Sequence, residues 1–149
     1  MSSQPIFTSV VRHDGFAWDS RVSLGDKVFA SYTGILAQDV GTTIEIGDLS
    51  GTTKSGLLGG PTVGRALTYR IGGGGGNVLF GGPISEQAAG NITAMVKRGV
   101  GIWTLGGFCS YAGFTTVEAG TLKILGSINN NAPSQVLGGA TLQLAGGMV

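Results

Sequence analysis

Gly120-Thr121-Leu122-Lys123-Ile124-Leu125-Gly126 alternates: Leu122 and Ile124 stand two apart, Lys123 lies between them, and glycines close both ends. Residues two apart on a strand share a face, so this stretch predicts a short strand with one apolar side and one wet side. The same plan occurs at Gly139-Ala140-Thr141-Leu142-Gln143-Leu144-Ala145-Gly146, at Gly41-Thr42-Thr43-Ile44-Glu45-Ile46-Gly47 and at Gly101-Ile102-Trp103-Thr104-Leu105-Gly106. Leu142/Leu144, Ile44/Ile46 and Trp103/Leu105 are the expected inward pairs; Gln143, Glu45 and Thr104 are the expected outward residues. Trp103 to Leu122 is nineteen residues and Leu122 to Leu142 is twenty.

A period near twenty, carried by short strands and glycine turns, belongs to a solenoid whose coils bury their inward residues on those of the coils above and below. With 29 glycines among 149 residues, 42% hydrophobic and 11% charged, the composition agrees with an all-β chain: the glycines follow no collagen triplet, and the apolar content exceeds that of a solvated coil. At about 20 to 25 residues per coil the length supplies about six or seven coils, above the three or so that stacking requires.

The N-terminal part departs from this regularity. Trp18, Val22, Leu24, Val28, Phe29, Tyr32, Ile35 and Leu36 are irregularly spaced among the charges Arg12, Asp14, Asp19, Arg21, Asp26 and Lys27. Residues 1–40 therefore read as an irregular N-terminal cap or first coils, and 41–149 as the β-helix; a cap would cover the open strand edges of the first coil. The C-terminal Gly146-Gly147-Met148-Val149 shows no such pattern and reads as a cut through a continuing solenoid.

From Gly101 to Leu122 the sequence is similar to the autotransporter passenger-associated repeat, whose form is G-T-W-T-L-S-G-A-N-T-Y-T-G-G-T-T-V-x-A-G-T-L. The agreement lies at Trp103-Thr104-Leu105, Gly107, Tyr111, Gly113, Thr115-Thr116-Val117 and Ala119-Gly120-Thr121-Leu122. Cys109 stands at the family's Asn and Phe114 at the second Gly of its Gly-Gly pair, so the turn over 107–114 departs from the pattern. The resemblance implies a right-handed parallel β-helix in a secreted or surface-displayed bacterial protein, where such repeats serve passenger folding, transport and adhesion. It marks Trp103, Leu105, Gly107, Tyr111, Gly113, Thr115, Thr116, Val117, Gly120, Thr121 and Leu122 as the structural motif.

Catalytic, metal and cofactor readings are weaker. Gly72 to Gly76 lacks the Lys-Ser/Thr of a phosphate loop and reads as a turn between coils. Asp14, Asp19, Asp26, Asp39, Glu45 and Asp48 are the carboxylates a polysaccharide-processing β-helix would need to converge in one groove. Solvated charge or a turn cap is the simpler reading, with Asp48 in the turn after its strand. His13 and Asp14 are neighbours whose side chains would diverge on an extended segment. Cys109 can form no intrachain disulfide and reads as a packed thiol. No tandem glycine-aspartate nonapeptide suggests calcium, so no metal and no cofactor is expected.

Phe114 is the candidate exposed patch, and Asn129-Asn130-Asn131 reads as a polar turn or the start of an asparagine ladder. A net charge of +1 gives no footprint for nucleic acid, and no apolar run spans a bilayer. Met1 to Val11 has no secretory-signal pattern, so export information lies outside this piece or the protein is not exported. The expected function is structural or adhesive and not enzymatic, at the bacterial surface or outside the cell. The expected partners are glycans or proteins of a host or cell surface. The alternatives are a filament subunit stacking through solenoid ends and a polysaccharide-binding or -cleaving β-helix.

Overall fold

The computed structural model describes residues 21–24, 29–31, 42–59, 66–73, 75–86, 90, 92–128 and 134–145. Asp14, Asp19, Asp26, Asp39, His13 and Asn129 to Asn131 lie outside them.

Every element among the described residues is a strand, and successive triplets form coils. The first coil is β1 (Arg21–Leu24), β2 (Phe29–Ser31) and β3 (Thr42–Ile46), and the second is β4 (Asp48–Gly51), β5 (Gly56–Leu58) and β6 (Ala66–Ile71). The third is β7 (Val78–Phe80), β8 (Ile84–Ser85) and β9 (Ile92–Lys97), and the fourth is β10 (Ile102–Leu105), β11 (Phe108–Cys109) and β12 (Thr115–Val117). The fifth is β13 (Thr121–Ile124), β14 (Ser127–Ile128) and β15 (Ser134–Val136), with β16 (Thr141–Leu144) opening a sixth.

Equivalent strands of successive coils pair in parallel. This gives three sheets in the orders β1-β4-β7-β10-β13-β16, β2-β5-β8-β11-β14 and β3-β6-β9-β12-β15. The chain is therefore a three-faced parallel β-helix. β1 and β2 fall inside the stretch 1–40 and pair as strands of the first coil, with β4 and β5 respectively.

The core is a set of ladders, because side chains at equivalent positions stack from coil to coil. On the first sheet Gly51, Phe80, Leu105, Ile124 and Leu144 align, beside Val78, Trp103, Leu122 and Leu142. On the second, Leu57, Ile84, Cys109 and Ile128 align. On the third, Ile46, Ile71, Lys97, Val117 and Val136 align. Inward parity holds at Trp103, Leu105, Leu122 and Ile124, each at most 1% exposed, while Thr104 and Lys123 face out half-buried. Leu144 differs from its expected inward burial and is 50% exposed. It lies on the edge strand β16, with no described residue stacked beyond it.

The spacing between coils is uneven and shortens along the chain. Arg21 aligns with Asp48, Gly51 with Phe80, Phe80 with Leu105, Trp103 with Leu122 and Leu122 with Leu142. The early coils are longer than the period of the later ones predicts. The described strands therefore make five complete coils and the first strand of a sixth, where the length alone suggested six or seven coils. Part of the excess sits in the connection between β6 and β7, where Gly72 and Gly75 lie in the expected turn between coils; Gly75 N–H donates to Gly72 O at 3.0 Å.

Candidate functional site

The fourth coil and its junctions carry the sequence motif, and their geometry is governed by close approach at the corners. Between the first and second sheets, Gly82, Gly107 and Gly126 stack in one column. A Cβ on Gly82 would collide with Ser55 O, on Gly107 with Gly82 O and on Gly126 with Gly107 O. With no side chain in the way, each corner rests directly on the one before, so the ladder runs on through the bend. Gly106 N–H reaches Phe80 O at 2.9 Å and Ser127 N–H reaches Gly107 O at 3.1 Å. Gly113 approaches Thr93 O in the same way, at the corner before β12. Gly120 turns the chain from the third sheet back to the first with φ of 65°, a left-handed conformation that glycine adopts without a Cβ penalty.

Inside the coil the polar ends of the large side chains are satisfied. Trp103 Nε1–H donates to Leu49 O at 2.8 Å, so the indole reaches past the third coil to the second. Tyr111 Oη and Thr115 Oγ1 lie 2.6 Å apart, both residues at most 1% exposed, and burial raises the phenol pKa. Val117 and Leu122 complete the packed set, while Thr116 and Thr121 are half-buried. Phe114, where the repeat's form has glycine, faces outward at 55% exposure, and its carbonyl accepts Met95 N–H at 3.0 Å.

Two charged residues that sequence reasoning passed over pin the third coil to its successors. Lys97 occupies the inward column between Ile71 and Val117 and is 1% exposed. Its Nζ donates to Arg98 O at 2.6 Å, Gly99 O at 2.7 Å and Ala119 O at 3.3 Å, joining the third and fourth turns. Burial pushes its pKa down to about 8, against the opposing attraction of Asp48. Glu86 does the complementary work at the other corner: it accepts from Thr93 N–H at 2.9 Å, Thr93 Oγ1–H at 2.5 Å and Ala112 N–H at 2.6 Å. The signal for Lys97 was its parity with Met95, two residues earlier and also buried; its charge argued the other way.

Asp48, Glu86 and Glu118 each engage a different partner. Asp48 is not a turn cap: it is the first residue of β4, 3% exposed, and accepts Gly76 N–H at 3.3 Å. Glu86 is engaged as above, and Glu118 pairs with Arg70 at 3.0 Å on the outer face of the third sheet. Cys109 is buried in the second-sheet ladder, and that burial pushes its thiol up to about 12. Among the described residues no group of three or more His, Cys, Asp or Glu is placed to hold a metal ion, and no helix is long and apolar enough to cross a membrane.

Stacked parallel coils with inward ladders and glycine corners define a β-helical solenoid. Within it, residues 95–124 match the family model of the passenger-associated-transport-repeat, from the end of β9 to the end of β13. The chain thus carries that repeat as its fourth coil, with the junctions on either side. Comparison with curated proteins and with solved structures gave no match.

Proposed function

We propose that this chain is a stiff segment of an autotransporter-type passenger, exported to the bacterial surface or beyond, where it supports passenger folding and carries adhesive surfaces outward. The observation that supports this reading most is the transport-associated repeat at 95–124, stacked in register on the coils before and after it. Each coil contacts mainly its neighbours, so the rod can build stepwise as it leaves a membrane pore. The test is to fuse the whole chain to an outer-membrane transporter barrel and measure surface arrival by protease accessibility. Wild type should arrive folded, and Gly107→Asp, which blocks the corner, should arrive poorly; equal display of the two would overturn the reading.

Filament assembly through solenoid ends is the second reading. Val136, Leu137 and Leu144, on the last described coils, are 44%, 39% and 50% exposed, which favours it. Light scattering over a hundredfold concentration range separates the two, since a fibre grows with concentration and a display rod does not.

A further inference from the structure

The outer face of the first sheet holds a groove of about 290 Å³ that the display role does not use. Its long wall is one column in register across four coils, Leu79, Thr104, Lys123 and Gln143, and Asn77 and Ile102 stand beside it. Leu79 and Ile102 are 50% and 38% exposed, giving one end an apolar floor. Asn77 is held against the strand, its Oδ1 accepting Ile102 N–H at 2.8 Å. Beyond the apolar end come a hydroxyl, an ammonium and an amide, successive rungs at the ~4.8 Å strand spacing. Among the described residues no carboxylate lines the groove.

We infer that this groove binds an acidic saccharide, its carboxylate on Lys123, its hydroxyls on Thr104, Gln143 and Asn77, and a ring face on Leu79 and Ile102. Charge sets the sign of the ligand, because the lysine in the described lining has no opposing carboxylate there. The geometry favours a sugar over an acidic peptide. An extended peptide gains most from main-chain hydrogen bonds at an open strand edge, whereas the groove lies on the face of the sheet, where β10 and β13 are paired on both sides and side chains are what is offered. Alternating apolar and hydroxyl-bearing surface on a pyranose matches a wall that changes from aliphatic to polar along its length.

The inference is independent of export, since purified whole chain should bind whether or not a fusion reaches the surface. The experiment titrates the whole chain with a galacturonate tetramer, its neutral galactose counterpart and a glutamate tetrapeptide, following calorimetric heats and amide chemical-shift changes. The uronate should bind best, moving amides of residues 77–79, 102–104, 121–123 and 141–143, and Lys123→Gln should weaken it about tenfold, the loss expected for one charge-assisted contact. Leu79→Ser should weaken it too, and Phe114→Ala, in the connection before β12, should not. No uronate binding, equal affinity for the neutral sugar or the peptide, or an unchanged Lys123→Gln variant would each overturn the assignment.

Discussion

Lys97 sits where an aliphatic side chain stands in the coils on either side, and its titration has a definite sign. Burial holds its pKa near 8, below the ordinary 10.5. The folded chain therefore gives up this proton first, and the unfolded chain keeps it until higher pH. Across that window the unfolded state binds more protons, so Lys97 makes stability rise with pH, and the cost of its buried charge is fully present below about 8. We expect the stability of wild type relative to Lys97→Met to increase by on the order of 3 kcal/mol between pH 7 and pH 11. Urea melts of both proteins at each pH measure this, with Cys109 and Tyr111 cancelling in the difference; a flat difference would show that the amine titrates in the fold as it does in the unfolded chain. At Trp103, replacement by Phe keeps an aromatic ring but leaves Leu49 O without its indole donor, and should cost about 1–3 kcal/mol in the same assay. Phe114→Ser, on the exposed face, should stay within about 0.5 kcal/mol of wild type.

At the scale of the element, strand and turn were legible to different degrees. Period-two alternation by itself places Trp103, Leu105, Leu122 and Ile124 inward, because a ladder needs only apolar residues two apart and a partner one coil on. Connection lengths were less legible. The extra length of the early coils arises in segments between strands, where no alternation exists to read. The ion pair of Arg70 with Glu118, far apart in sequence, and the carboxylate of Glu86 against Ala112 depend on which rungs stack, which the uneven spacing hides from the sequence. The groove on the first sheet was invisible for the same reason: Leu79 faces Thr104 only once the third coil's length is known. Glycine roles are testable side by side. Gly107→Ala places a methyl on Gly82 O and should cost more than about 4 kcal/mol or prevent folding. Its neighbour Gly106 would meet Leu79 at an ordinary 3.5 Å, so Gly106→Ala should fold, as thermal melts of the pair would record.

For the whole molecule, the pins gather in the middle. Lys97, Glu86, the Trp103 indole and the Arg70–Glu118 pair all bind the second, third and fourth coils together, while the last described strands β15 and β16 contribute mostly exposed side chains. A solenoid with nearest-neighbour energetics opens from its weaker end. Amide hydrogen exchange on the intact chain should therefore be slowest at β6, β9, β10 and β12 and fastest, among the described strands, at β15 and β16. Uniform protection along the rod would instead mean that the coils unfold as one unit.

The reach of Trp103 to Leu49 also bears on how such a rod could lengthen by gene duplication. A copied unit the length of one late coil, placed after Glu118, would renew each neighbour contact and disturb nothing further away. The same unit inserted between Leu49 and Trp103 would lift the indole one storey above its acceptor, and, if it fell after Arg70, would leave that guanidinium one storey below Glu118. Lineages that grow the rod should accordingly add storeys beyond the repeat and leave the stretch from Leu49 to Glu118 at constant length.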